Sequence, residues 1–150
     1  MSVGEICTRE VVIARQEDST LEAARLMRTH HVGDVLVVDE RDGVRVPVGI
    51  VTDRDLVVEI IATELAPTVI KVGDIMASEL GAVKESCGLF EAIQYMRAKA
   101  TRRLVVLDDV SGGLAGIVTL DDLLGLLAEE LAALARLVDR GHEQEVKNRR

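Results

Sequence analysis

Gly49-Ile50-Val51-Thr52-Asp53-Arg54-Asp55 and Gly116-Ile117-Val118-Thr119-Leu120-Asp121-Asp122 are two copies of one seven-residue pattern, and the rest of the chain aligns outward from them. In each copy a glycine opens a short apolar run, the run delivers a threonine, and an aspartate follows three residues later. Alternating and β-branched residues read as a strand. A Thr with an acid three positions on reads as the start of a helix, because the Thr oxygen accepts a backbone N–H while the acid reaches back to the cap N–H. Upstream, the correspondence continues at an offset of 69. Gly4-Glu5-Ile6-Cys7 returns as Gly73-Asp74-Ile75-Met76, Leu21-Glu22-Ala23 as Phe90-Glu91-Ala92, and Met27-Arg28 as Met96-Arg97. Residues 35–39 match residues 104–108 at the same offset, and the motifs themselves stand at 67. The two missing residues fall in the turn between strands, where deletions cost little.

Each copy therefore has the same order of elements. Residues 11–14 form a strand, and Ser19-Thr20 cap a helix to about His30. Residues 35–39 form a buried strand, Asp42-Gly43 turn the chain, and residues 46–51 return. Thr52 begins a second helix to about Ala62. Copy two repeats this with a strand near Val83, a helix over 89–100, a strand over 104–108, a turn at Ser111-Gly112-Gly113, a strand over 114–118 and a helix from Leu120. The fold class is α/β (α+β). Residues 1–62 are the first repeat, 63–72 with Pro67 the linker, 73–128 the second repeat, and 129–150 a helical extension and tail. A single copy buries too little surface to be very stable alone. Two copies packed sheet to sheet about a pseudo-twofold axis solve this and leave paired clefts.

Bulk composition excludes several function classes. Of 150 residues, 48% are apolar, yet there is one Phe, one Tyr and no Trp, so Val, Leu, Ile, Ala and Met must build the core. That apolar content excludes a disordered chain. A net charge of −8 and the lack of aromatic stacking platforms argue against nucleic acid, and the basic ending Lys147-Asn148-Arg149-Arg150 is too short to reverse this. No apolar run approaches the ~20 residues of a membrane span, and no secretory leader is visible. Cys7 and Cys87 lack metal-ligand spacing, which fits a reduced, cytoplasmic protein.

The repeat order, the twin G-h-h-T-x-x-D motifs (h, apolar) and the strand ends Val35-Leu36-Val37-Val38-Asp39 and Leu104-Val105-Val106-Leu107-Asp108 together resemble a tandem pair of cystathionine-β-synthase-type (CBS) domains. The match covers about Gly4 to Leu127. The resemblance implies β-α-β-β-α repeats and two clefts for an adenosyl ligand, AMP, ADP or ATP, with NAD or S-adenosylmethionine as other candidates and Mg²⁺ only alongside ATP. It implies that Thr52 with Asp55, and Thr119 with Asp122, face phosphate and ribose, and that Ile50 and Ile117 line the base. The early segment of the opposite repeat completes each pocket, Thr8 and Val12 toward Asp122 and Ala77 with Ala82 toward Asp55. Arg102 and Arg103 stand where the family often supplies phosphate charge. Copy one departs there, with Gly33-Asp34; Asp34 repels phosphate, so the Asp122 cleft is expected to bind more tightly, with Arg54 a partial substitute in the first. Val105 replaces a proline frequent in the family.

Other features have plainer readings. His30-His31 suit a helix C-terminus, and His142 stands alone in a polar tail. The pairs Asp108-Asp109 and Asp121-Asp122 lack a neighbouring nucleophile or base. Residues 123–138 carry Leu126, Leu127, Leu131, Leu134, Leu137 and Val138 on a helical stripe, read either as a surface for a partner subunit or as cover for the chain's own sheet, with residues 139–150 fraying. The expected function is a regulatory module, a homodimer that binds an adenosyl ligand and signals to an unidentified effector protein. Its alternatives are a purely structural dimerisation module, in which the Thr–Asp pairs are only caps, and a nucleotide-processing enzyme, against which the missing Walker loop counts.

Overall fold

The computed structural model describes residues 1–149; Arg150, the end of the basic tail, lies outside the described residues. The chain divides into two compact units, one from Met1 to Val118 and one from Thr119 onward. In the first, a helical turn α1 (Val3–Ile6) precedes β1 (Ile13–Ala14), α2 (Thr20–His30), β2 (Asp34–Arg41) and β3 (Val44–Thr52). α3 (Asp53–Leu56) runs into a wider π turn at Val57–Ile61. Copy two follows with α4 (Val72–Ile75), β4 (Ala82–Lys84), α5 (Leu89–Lys99), β5 (Arg103–Leu107) and β6 (Leu114–Thr119). The second unit is one helix, α6 (Leu120–Asn148).

The repeats form two three-stranded sheets, β1-β2-β3 and β4-β5-β6. The first strand of each runs parallel to the second, and β2 pairs antiparallel with β3. A register shift between Val37 and Val38 leaves Val38 opposite Pro47, which the edge strand β3 tolerates because an edge need not use every N–H. Asp42 and Gly43 both take positive φ, 53° and 77°, as the tight β2–β3 turn requires. Ser19 caps α2 reciprocally with Glu22, and His31 closes it in the left-handed conformation. The expected elements are thus present, with two differences. The short helical turns α1 and α4 were not anticipated, since four residues are too few to show a period. The expected fraying after residue 138 does not occur, because α6 continues to Asn148.

Those two turns decide how the halves are joined. Val72 of α4 is buried in the cluster of copy one, with Ala14, Ala23, Met27, Val35, Val37 and Val51. Its N–H donates to the Asp18 carbonyl at 2.8 Å, and Gly73 N–H donates to that of Gln16 at 2.9 Å. Reciprocally, Val3 of α1 is fully buried, its N–H donating to the Cys87 carbonyl at 2.8 Å, and Gly4 N–H donates to that of Glu85 at 2.9 Å. Each copy's leading turn is therefore bonded to the other copy. The segment between them is held as well, since Thr20 and Leu21 N–H groups donate to the Ile70 and Pro67 carbonyls. Burial of two apolar turns in exchange joins the halves in one compact unit.

Candidate functional site

The exchange brings the early segment of each copy against the motif strand of the other. Ile50 N–H donates to the Ala77 carbonyl at 3.0 Å and Ala77 N–H donates back at 2.9 Å. Thr8 and Ile117 make the equivalent pair, at 2.9 and 3.0 Å. The motif glycines explain why the strands can meet. A Cβ on Gly116 would lie 2.7 Å from both the Thr8 carbonyl oxygen and Cys7 Sγ, and one on Gly49 would stand 3.1 Å from the Ala77 carbonyl oxygen and closer still to Met76. Only a residue without a side chain permits this approach.

One strand further on, the Thr and Asp of each motif cap a helix. Thr52 Oγ1 accepts from Asp55 N–H at 3.1 Å, and Asp55 Oδ2 accepts from Thr52 N–H at 2.9 Å. Thr119 and Asp122 repeat this at 3.2 and 2.9 Å. The plainer reading of the motif is thus realised in both copies. It leaves each Thr hydroxyl proton and each Asp Oδ1 without a hydrogen bond among the described residues, so capping does not use up the hydrogen-bonding capacity of either side chain.

A cleft of about 320 Å³ opens in the first unit, lined from both copies by Ile50 and Ile117 and also by Arg102, Arg103 and Val105. Four expected site residues, Ile50, Ile117, Arg102 and Arg103, therefore meet in one place. Thr8 and Ala77 are backbone partners of the two isoleucines and, like Thr52, Asp55, Thr119 and Asp122, are not part of the lining. Val12 packs on the copy-one cluster and accepts the Leu36 N–H through its carbonyl at 3.0 Å. Ala82 opens β4 beside Val105 and is not part of the lining. Glu79, Leu80, Gly81, Ala100 and Thr101 do line the cleft and were missed. The signal for Gly81 was present: the 69-residue offset carries Val12 to Gly81, one residue before Ala82.

Asp34 and Arg103 occupy equivalent positions in the two copies, and the structure pairs them with each other. Arg103 Nη1 lies 3.0 Å from Asp34 Oδ2, with side chains 38% and 29% exposed. Asp34 therefore acts on the cleft that contains Arg103, rather than only depressing a separate one. Arg102 is exposed and makes no ion pair among the described residues. Arg54 is likewise exposed.

The remaining chemistry is sparse. Burial pushes the thiols of Cys7 and Cys87 up from their ordinary value, which keeps them protonated and poorly nucleophilic near neutral pH. Asp108 is held below the ordinary carboxylate range by the N–H groups of Ser111 and Val110, as part of the β5–β6 turn. Among the described residues, no three His, Cys, Asp or Glu side chains are placed to hold a metal, and no helix is long and apolar enough to cross a membrane.

Comparison with known proteins agrees with this layout. The sequence pattern of the CBS domain matches residues 3–62 and 72–129. An uncharacterized protein of Methanopyrus kandleri is 38% identical over 124 residues, 83% of this chain, which spans 61% of that protein's length. The uncharacterized protein YlbB of Bacillus subtilis is 37% identical over 81% of this chain and 78% of its own. Among solved structures, the CBS domain of a bacterial CNNM/CorC-family Mg²⁺ transporter, in complex with ATP, superimposes with a TM-score of 0.71. It is 26% identical and covers 83% of this chain and 84% of that one.

Proposed function

From the premise that this chain belongs to the CBS domain family, we propose that it is a regulatory module that binds an adenosyl ligand and reports its level to an effector protein without transforming it. The observation that carries this reading is the cleft lined by the motif isoleucines of both copies and edged by Arg102 and Arg103. A planar base fits between two apolar side chains, and a guanidinium suits a phosphate through paired, charge-assisted hydrogen bonds. Ligand bridging the copies favours the conformation in which both walls are in contact. The difference in affinity between conformations then sets the signal. In this reading Thr52, Asp55, Thr119 and Asp122 contribute the hydroxyl protons and carboxylate oxygens that capping leaves over, and Thr8, Val12, Ala77 and Ala82 form the supporting edge. The repeats are residues 1–62 and 73–128, joined by 63–72, and the assembly is a cytoplasmic homodimer. AMP, ADP and ATP are the first candidates, with NAD and S-adenosylmethionine behind them.

A thermal-shift titration with AMP, ATP, NAD, S-adenosylmethionine and GTP tests the proposal. A ligand at about 100 times its Kd adds about 2.7 kcal/mol, which is about 5–10 °C for a chain of this size. The expected result is a shift confined to adenosyl compounds and lost in Asp122→Ala. The capping bonds favour one other reading, a structural module in which the Thr–Asp pairs serve only their helices. No shift with any compound at millimolar concentration establishes that reading instead.

A further inference from the structure

Copy two departs from copy one at three positions that meet in space. Val12, Leu26 and Val32 pack on the copy-one cluster. The 69-residue offset replaces them by Gly81, Tyr95 and Thr101. A Cβ on Gly81 would lie 2.9 Å from Leu104 Cδ2, 3.4 Å from Tyr95 Cε1 and 3.5 Å from Thr101 Cγ2, so three side chains converge on the glycine. Leu104 stands where copy one has the smaller Val35 and is fully buried, so the core closes without a side chain at position 81. Tyr95 and Thr101 instead line a second cleft, of about 460 Å³. A departure of this kind from the packing of an equivalent copy is the mark of a functional site.

The lining of this cleft has a definite chemistry. Tyr95 and Lys99, four residues apart, share one face of α5, and Ser78 and Glu79 line the cleft from the segment before β4. Thr101 uses its hydroxyl on the Arg103 carbonyl at 3.0 Å. Glu79 and Lys99 are exposed and make no ion pair among the described residues, so they line one cleft without pairing with each other. A carboxylate beside a single ammonium cancels the field that would draw in a phosphate. The pair instead matches a molecule that carries both charges. Lys99 suits a carboxylate and Glu79 an ammonium, each through charge-assisted hydrogen bonds, while Tyr95 and Leu80 suit an apolar side chain. We propose that this cleft binds a free α-amino acid with an apolar or aromatic side chain. Glu79, Leu80, Gly81 and Thr101 also line the first cleft, so the occupant of one touches the wall of the other. The amino-acid site is independent of which ligand fills the first cleft.

Magnetic resonance of the full chain with ring-labelled tyrosine tests it. Tyr95 is the one tyrosine, so every ring signal is its own. L-phenylalanine and L-leucine are expected to move those signals saturably at up to millimolar concentration. Phenethylamine, which lacks the carboxylate, and phenylpropionate, which lacks the ammonium, are expected to bind at least about tenfold more weakly than L-phenylalanine. Lys99→Gln and Glu79→Gln are expected to weaken L-phenylalanine by the same factor, and as both side chains are exposed the fold is kept. Signals that neither amino acid moves overturn the proposal, and so do equal affinities for L-phenylalanine and the two analogues. Signals that move with AMP but with no amino acid overturn it and leave the adenosyl reading in place. Signals that move with the amino acids, in a chain that AMP and the other adenosyl compounds do not stabilise, support it and overturn the adenosyl reading.

Discussion

Replacing Asp34 by Asn separates the ion pair from the cleft it controls. The two charges lie 3.0 Å apart, a separation worth about 1.4 kcal/mol in a water-like dielectric and about 5.5 kcal/mol at an effective value of 20. Exposure of 38% and 29% places the pair near the first limit. Measured exposed pairs contribute about 0.2–1 kcal/mol once side-chain ordering is included. Asp34→Asn is therefore expected to lower stability by no more than about 1 kcal/mol, or about 2–4 °C in Tm. Its effect on binding has the opposite sign, because Arg103 no longer divides its charge between Asp34 and a ligand phosphate. The expected gain in AMP affinity is about three- to tenfold at low salt. The gain shrinks as the ionic strength passes about 0.1 M, where charges are screened over about 10 Å. Adenosine, without a phosphate, should show no gain. Isothermal titration calorimetry on wild type, Asp34→Asn and Arg103→Gln at two salt concentrations measures all of this. An unchanged AMP affinity in Asp34→Asn, alongside a clear loss in Arg103→Gln, refutes the competition. No change in either variant removes Arg103 from the phosphate site altogether.

Gly116→Val should destabilise the protein by about 1–3 kcal/mol in urea titrations, because its Cβ meets the Thr8 carbonyl and Cys7. Gly125→Ala, where a Cβ meets nothing within 4 Å, should stabilise α6 by up to about 1 kcal/mol in the same assay. Thr52→Ala and Thr119→Ala each lose a cap worth about 1 kcal/mol, while ligand affinity should fall more for Thr119→Ala, and equal losses would exclude unequal clefts. Acid should weaken the fold through Glu40 and Asp108. The Arg15 guanidinium lowers the first, the Ser111 N–H the second, from ordinary values of 4.5 and 3.8. Their stabilisation is complete above those ordinary values and is lost as pH falls through the lower, folded-state ones. Tm measured from pH 7 downward should therefore hold steady to about the ordinary carboxylate range and then drop; a flat profile through pH 3 would exclude these contacts.

Particular residues show where reading the chain sufficed and where it did not. The caps at Ser19, Thr52 and Thr119, the turn at Asp42-Gly43 and the strands around 35–39 and 104–108 were all legible. Each depends on neighbours within four positions or on a period of two. The continued helix beyond residue 138 was not, since Gly141 opposes a helix and Val146 alone carries no apolar stripe, although Arg140, Glu143, Gln144, Glu145 and Lys147 each favour one. Gly81 stands where the repeat offset carries Val12, but a glycine in a loop has no side chain whose chemistry points to a ligand. Glu79, Leu80, Ala100 and Thr101 carry no motif at all.

The sequence by itself determined the doubling of the chain, the order of elements in each copy and the two helix starts, because repetition and capping are local and survive in one dimension. Motif spacing does not say which half each leading turn joins; the family resemblance implied that Thr8 and Ala77 cross to the opposite repeat, and the tertiary structure has α1 and α4 exchanged, with Thr8 meeting Ile117 and Ala77 meeting Ile50. It alone decided that Asp34 and Arg103, equivalent positions of opposite charge, face each other at 3.0 Å. These contacts, between residues 27, 69 and 109 positions apart, are set by which apolar turn each half buries and by the symmetry that results. That choice is made by packing across the whole unit and leaves no mark in the spacing of either copy.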